Sequence, residues 1–206
     1  MYARSTTIAG IPEQVERGIV YIRTRVLPAV MGMDGFIGLS MLADRTSGRC
    51  IVTSAWEDTT ALHRSAPQVK AMRARASDIL GGPAVVDEWS IAVLHRRHPA
   101  PESACARVTW TRGDPARLDR MTDAFGVGMV PRLEALPGFC SVSVLVDPAS
   151  GRATTAVTYD SRDEMQAALD RATELREEFS AQMGIDVVEV ATFDLVVAEL
   201  RVPETV

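Results

Sequence analysis

The chain has 206 residues, of which 47% are hydrophobic and 24% charged, and its formal net charge is −5. This composition is typical of a globular protein long enough for two domains of about 100 residues. No apolar run approaches the roughly 20 residues that a membrane span requires, and neither half carries a basic stripe, so we expect no membrane and no nucleic-acid partner. The first residues lack the apolar core of a signal peptide, which predicts a cytoplasmic protein.

Residues 1–103 and 104–206 are two copies of one domain, related by a constant shift of 103 positions. Elements that recur at the shifted positions include Gly35-Phe36, Asp44, Ser47-Gly48-Arg49 and the aromatic position of Trp56, which becomes Tyr159. A repeat of this length is too long for a solenoid unit and suits a whole small domain. We therefore predict modules at 1–96 and 104–206, joined by a polar, proline-rich linker at 97–103.

Each copy has the pattern strand, helix, strand, strand, helix, strand. In the first copy the strands are predicted at 2–9, 35–43, 50–56 and near 85–94, with helices that begin at Pro12 and near Asp58. Apolar residues spaced three and four apart, from Val15 to Val26, form one stripe of the first helix. Pro67 predicts a break or kink in the second helix, and its counterpart in the second copy, which begins at Ser161, is expected to be straighter.

This order of elements places both helices on one face of a four-stranded antiparallel sheet. The second strand is nevertheless apolar on both faces, because Phe36 and Leu42 alternate with Ile37, Leu39 and Met41. A strand that is apolar on both faces is covered on both faces, and the sister sheet is the available cover. We predict an α+β fold in which two tandem ferredoxin-like (βαββαβ) modules pack their sheets into an α+β barrel. Such a chain is an internal pseudo-dimer, and its further association into a homodimer is left open.

The three cysteines, Cys50, Cys105 and Cys140, are widely spaced and are expected to be buried thiols in strands. His95 and His98 offer two metal ligands, but no third lies nearby in the sequence. The sequence therefore predicts neither a metal site nor a cofactor.

Three features together resemble the antibiotic biosynthesis monooxygenase (ABM) superfamily of dimeric α+β barrels. They are Gly35-Phe36 at the start of the second strand, Trp56-Glu57-Asp58 at the end of the third, and the Ala/Leu-rich helix that follows. Tyr159-Asp160-Ser161 stands at the same place in the second copy. The best-known branch of this superfamily oxidises phenolic or quinol-like intermediates with O2, without metal or flavin. The resemblance to that branch implies a pocket lined by an asparagine, a tryptophan and a nearby histidine or other polar residue. The asparagine has no counterpart here, because the sequence contains none.

A phenolic substrate must lose a proton before it can reduce O2, so such a site needs a base or an anion-stabilising group in an apolar pocket. Arg4 and Arg107 occupy equivalent places in the two first strands, where they would either bind an anionic oxygen or pair with a carboxylate. His63 is the only histidine inside a predicted element, and it is either a general base or a surface residue.

Three aromatic residues are candidates for a substrate-binding wall. Trp56 and Tyr159 end the third strands, and Trp110 lies where the first copy has Thr7. All three could equally be core residues. The leading hypothesis is an ABM-like, cofactor-independent monooxygenase that acts on a small aromatic or polyketide-like molecule. The alternatives are a non-catalytic small-ligand-binding or regulatory protein of the same fold and haem binding through His63.

Overall fold

The computed structural model describes residues 1–200 and 203–205, so the end of the predicted second module at residue 206 lies outside the described residues. The strands are β1 Tyr2–Ala9, β2 Phe36–Ala43, β3 Arg49–Trp56, β4 Ala84–Arg96, β5 Cys105–Arg112, β6 Phe139–Asp147, β7 Arg152–Tyr159 and β8 Asp186–Leu200. The α-helices are α1 Val15–Tyr21, α2 Leu27–Met31, α3 Thr59–Leu80, α4 Leu118–Ala124, α5 Val130–Glu134, α6 Arg162–Ala167 and α7 Leu169–Met183. A π-helical segment joins α1 to α2 at Ile22–Val26, and another joins α4 to α5 at Phe125–Met129.

The hydrogen-bonded strand order is β1-β3-β2-β8-β5-β7-β6-β4, which is a closed barrel. The predicted α+β class, with two tandem ferredoxin-like modules, is thereby confirmed. The registers of the two copies correspond, because Tyr2 pairs with Trp56 on β1 and β3 as Cys105 pairs with Tyr159 on β5 and β7. No helix in the described part of the chain is long and apolar enough to cross a membrane.

Two compact units divide the chain differently from the two sequence copies. The first comprises Met1–Trp89 with the end of β8 from Asp194, and the second comprises Ser90–Phe193 with the short segment after β8. The difference arises in the two long strands. The second half of β4 pairs with β6, and the second half of β8 pairs with β2, so each of these strands contributes to both units.

Each unit buries the apolar stripe of its first helical segment against one face of its sheet. In the first unit the stripe from Val15 to Val26 lies in a core with Leu39 and Met41, and in the second Leu118 and Met129 do the same. Strand residues that alternate with these core positions are buried as well. They include Ala3, Ile51 and Ala55 in the first unit and Ala106, Val108 and Thr158 in the second.

The second helix of each copy differs from the prediction, because the break occurs in the second copy and not in the first. The first-copy helix α3 runs unbroken through Pro67, whereas its counterpart is divided into α6 and α7 at Ala168. Proline removes one backbone donor from a helix, but α3 is capped by the Asp58 carboxylate and buries Leu62 and Leu80, so its packing outweighs that local loss.

The repeated Gly-Phe pair has a steric cause. Gly35 and Gly138 have positive φ values of 75° and 61°, a region that favours glycine. A Cβ at Gly35 would lie 2.5 Å from the Cβ of Ala61, and one at Gly138 would collide with Glu164. These glycines therefore allow the start of the second helix to lie directly against the start of β2 or β6.

We expect Gly138→Ala to lower the free energy of unfolding by about 1–3 kcal/mol, because the new methyl group adds backbone strain to a collision. The matched control is Gly128→Ala, since a Cβ there would meet nothing within 4 Å. That control should be neutral or should stabilise by up to about 1 kcal/mol. Urea unfolding measures both values, and equal losses would contradict the steric explanation.

Candidate functional site

In the first unit, Arg4 is a buried structural cation. Its Nε and one terminal nitrogen donate to Oε1 of Glu88 at 3.0 and 2.7 Å. The other terminal nitrogen donates to Ser65 Oγ at 3.1 Å, and the Leu62 carbonyl accepts a further bond at 3.0 Å. Protein atoms thus accept four hydrogen bonds from Arg4, which is only 4% exposed.

Glu88 also links this pair to His63. Burial acts to raise the pKa of Glu88, but the hydrogen bond and charge of Arg4, followed by those of His63, bring it below its ordinary value. His63 Nε2 lies 3.3 Å from Glu88 Oε2, and the His63 side chain is 66% exposed. The proposed general base is therefore a surface histidine beside a carboxylate.

Trp56 is fully buried and belongs to the core of the first unit. Its Nε1 donates to Ser54 Oγ at 3.1 Å, and its ring meets the edge of Phe36 at a centroid distance of 5.7 Å. With its one polar group satisfied and its ring enclosed, Trp56 packs as a core aromatic.

In the second unit the equivalent space between sheet and helices is a cavity of about 100 Å³. Its floor is the face of β5, β6 and β7, and its walls come from α4, α5, α7 and the π-helical segment between α4 and α5. Apolar side chains form most of the lining. The polar groups around it are threonine and serine hydroxyls together with Arg107, Tyr159 and Arg176.

Arg107 enters this cavity from β5, at the position equivalent to Arg4. Its Nε is buried and makes no hydrogen bond within the described part of the chain. Burial lowers the pKa of the Arg107 guanidinium; the neighbouring Tyr159 acts to raise it, and the charge of Arg176 lowers it further. The described lining residues include no carboxylate. Arg176 has a distant ion-pair partner outside the lining, the exposed Glu177 at 3.9 Å.

The difference between Arg4 and Arg107 follows from substitutions between the copies. At the shifted positions, Ala168 replaces Ser65 and Ala191 replaces Glu88. The second copy has therefore lost both side chains that hold the first arginine. Arg107 is half-buried, and only its Nε is enclosed without a partner; an enclosed donor without a partner is unfavourable, and an anionic ligand would supply one.

Tyr159, the predicted aromatic wall of the second copy, lines the cavity and is 1% exposed. Burial raises the pKa of Tyr159 to about 12, against the opposing charge of Arg107. Its hydroxyl is therefore neutral at physiological pH and can donate a hydrogen bond to an anion.

Trp110, the remaining aromatic candidate, points away from this site. It alternates along β5 with the cavity residues Arg107, Thr109 and Thr111, and its ring meets the edge of Phe193 at 6.3 Å. The structure thus brings together two candidates, Arg107 and Tyr159, while Trp110 is on the opposite face of the strand.

Sequence reasoning missed Arg176, the second cation of the cavity. A signal was present, because the same shift takes Arg73 on α3 to Arg176 on α7. An arginine retained on an otherwise apolar helix face in both copies indicates a position directed toward the space beneath it.

Comparison with known proteins places the chain in a family. No family model matches it. Two relatives from Mycobacterium tuberculosis align over its whole length: "Uncharacterized protein Rv2558" is 47% identical and "Uncharacterized protein Rv2557" is 44% identical. The alignments cover 88% and 92% of those proteins. The chain belongs to the family of these two proteins.

Comparison with solved structures shows that this chain shares the fold of monooxygenase-like α+β barrels, as the resemblance predicted. A candidate monooxygenase from Lactobacillus acidophilus NCFM has a TM-score of 0.71 at 10% identity, with 97% of this chain and 96% of that chain covered. An anthrone oxidase-like protein has a TM-score of 0.69 at 16% identity, covering 97% and 93%. A haem-degrading enzyme from Listeria monocytogenes has a TM-score of 0.52 at 7% identity, covering 94% and 99%. At such identities the likeness concerns the fold.

The two arginines of this family member should respond oppositely to removal. We expect Arg4→Met to lower the free energy of unfolding by about 1–3 kcal/mol, because it leaves buried polar partners unsatisfied beside a half-exposed Glu88. Arg107→Met should leave stability unchanged or raise it by up to about 2 kcal/mol, since it removes a cation with no fixed partner. Urea unfolding of both variants decides the matter; a larger loss from Arg107→Met would show that Arg107 is structural.

Proposed function

We propose that the second unit binds a small aromatic molecule as its anion and oxidises it with O2, as a cofactor-independent monooxygenase. The observation that supports this most is Arg107, which lines an apolar cavity with no carboxylate among its described lining residues and whose Nε makes no hydrogen bond there. The fold shared with monooxygenases is consistent with the proposal.

The size of the cavity limits the substrate. At about 100 Å³ it is smaller than the cavity of roughly 150 Å³ that holds benzene in an engineered protein. One aromatic ring, accommodated by small side-chain movements or with part of it at the mouth, is the largest group that suits this space. A monocyclic phenol therefore fits better than a fused polyketide skeleton.

The charge of the cavity favours the ionised form of such a phenol. Arg107 and Arg176 would lower the pKa of a bound phenol, just as any nearby cation favours the charged form of an acid. Tyr159, neutral at physiological pH, would donate to the same oxygen. The phenol proton can then leave to solvent, so the site needs no histidine base, and His63 is not among the lining residues.

The chemistry balances without a cofactor. A phenolate passes one electron to O2, and the resulting radicals combine to form a carbon–oxygen bond to a peroxide. The carbon that carries the peroxide then loses its hydrogen as a proton to solvent while the O–O bond breaks. The departing hydroxide takes up a proton to become water, and a quinone carbonyl remains. One phenol and one O2 thus give one p-quinone and one water. The role of Arg107 is to stabilise first the phenolate and then the peroxide anion.

A non-catalytic ligand-binding protein is the second candidate, and one observation favours it. Among the described residues of the lining, arginine and tyrosine are the only ionisable types, and neither accepts a proton near neutral pH. A carboxylate ligand such as a benzoate would satisfy Arg107 without reacting. Haem binding is not favoured, because no histidine lines this cavity and its volume is far below that of a porphyrin.

Oxygen consumption with an electron-rich monocyclic phenol tests the enzyme proposal. We expect formation of a quinone that carries one atom from isotopically labelled O2, with the rate lowered at least tenfold by Arg107→Met. The control is His63→Gln, a surface change in the first unit, which should keep the wild-type rate. Tight phenol or benzoate binding without O2 uptake would favour the binding protein, and no binding at all would refute both candidates.

A substitution that fills the cavity should affect ligand affinity and the stability of the fold differently. Ala172 lines the cavity where the first copy has Val69, so Ala172→Leu should insert its larger side chain into empty space. We expect unchanged or increased stability, by up to about 1 kcal/mol, together with a large loss of ligand affinity. Thermal unfolding and calorimetric titration with benzoate report the two effects, and full affinity in this variant would place the ligand elsewhere.

A further inference from the structure

His98, Cys140 and Asp160 meet outside the cavity, although they are far apart in the sequence. One donor atom from each lies within 4.8 Å of the other two. His98 Nε2 and Asp160 Oδ1 are 3.6 Å apart, close to the ligand–ligand spacing of about 3.3–3.7 Å in a tetrahedral zinc site. The sequence prediction of no metal site considered only ligands near His95 and His98, and these two partners come from β6 and the end of β7.

The Asp160 carboxylate has a free acceptor directed into this cluster. Its Oδ1 is buried and makes no hydrogen bond among the described residues. The side chain is 37% exposed, and the ion-pair partner of Oδ1, His98 Nε2, lies at 3.6 Å, beyond hydrogen-bond distance. An enclosed oxygen that accepts no hydrogen bond is unfavourable, and a cation would satisfy it. This observation points to a ligand independently of the clustering itself.

His98 is oriented as a metal ligand would be. Its Nδ1 lies 3.1 Å from the backbone carbonyl of Pro99, and a hydrogen bond there places the proton on Nδ1. Nε2, which faces Asp160, is then left with its lone pair. Ligating histidines in metal sites are held in this way by a carbonyl or carboxylate on the second ring nitrogen.

The backbone around the three side chains is fixed. The Arg97 amide donates to the Cys140 carbonyl at 2.9 Å, and Ser103 Oγ donates to the Asp160 carbonyl at 2.7 Å. Cys140 Sγ donates to the His98 carbonyl at 3.3 Å. The linker between the sequence copies is thereby attached at both of its ends to the ends of β6 and β7.

We propose that His98, Cys140 and Asp160 bind a zinc ion that fastens this linker to the second unit. Imidazole nitrogen, thiolate sulfur and carboxylate oxygen together suit zinc better than magnesium or calcium, which prefer oxygen ligands alone. Three protein ligands leave the fourth tetrahedral position to water. When the ion binds, the Cys140 thiol gives up its proton to solvent and its sulfur bonds to zinc.

Two features of the surroundings bear on affinity. Cys140 is 1% exposed, so a thiolate there needs a cation to be stable. Arg96 is a neighbouring positive charge that repels a metal ion. The site is specific to the second unit, because Ile37 and Glu57 stand at the positions equivalent to Cys140 and Asp160.

Titration of the chelator-treated protein with cobalt and with zinc tests the site. We expect one equivalent of Co²⁺ per chain with a thiolate-to-cobalt charge-transfer band, and displacement of that cobalt by zinc. Cys140→Ala should abolish the band and weaken zinc binding at least tenfold. The matched control is Cys50→Ala, which also removes a buried strand thiol and should keep the band and the affinity.

Asp160→Asn is a second test variant for the case in which Cys140→Ala does not fold. We expect it to fold normally, because it changes a side chain that is 37% exposed. It should weaken zinc binding about tenfold and retain the charge-transfer band. A wild-type cobalt complex without that band, or unchanged zinc affinity in Cys140→Ala, would overturn the proposal. Neither result depends on oxygen consumption, so the metal site and the oxidation chemistry succeed or fail separately.

Limited proteolysis tests whether zinc holds the linker against the second unit. Zinc should slow tryptic cleavage after Arg97, an exposed residue next to His98, several-fold in the wild type and not at all in Cys140→Ala. Tight zinc binding with no protection of this peptide bond would refute the fastening role.

Discussion

A guanidinium held between a sheet and its covering helices has to be neutralised, and the two copies of this chain meet that constraint differently. In the first unit Glu88, Ser65 and the Leu62 carbonyl surround Arg4. In the second unit the corresponding side-chain partners are absent and a cavity takes their place. The arginine at this register is thus enclosed by protein partners in one copy, whereas in the other it is half-buried and its Nε makes no hydrogen bond within the described residues.

Packing follows the same division. In the first unit Leu80 is fully buried and fills the space beside Gly18, where an added Cβ would strike the Leu80 side chain. In the second unit Met121 replaces that glycine and lines the cavity. The close pair of Gly18 and Leu80 in the first unit thus corresponds, in the second, to a methionine that borders a cavity.

Local and periodic signals in the sequence predicted the architecture well. The shift of 103 residues, the apolar stripe from Val15 and the strand that is apolar on both faces lead directly to the tandem α+β barrel. Partners of the site residues were harder to foresee, because they join positions remote in the chain. Glu88 reaches Arg4 across 84 residues, and the ligands of the proposed metal site lie on a linker and two strand ends. The behaviour of α3 at Pro67 was reversed because tertiary packing overrides a local preference.

The two long strands have an evolutionary consequence. β4 of the first sequence copy pairs with β6 of the second, and β8 of the second copy pairs with β2 of the first. A severed copy would therefore lack a strand pairing that only its sister can provide. In a homodimer built with the same strand pairings, both subunits have one sequence, so every substitution would change both halves together. Fusion into one polypeptide removes that restriction. One half can specialise as scaffold while the other drifts toward new chemistry, and their stoichiometry never varies.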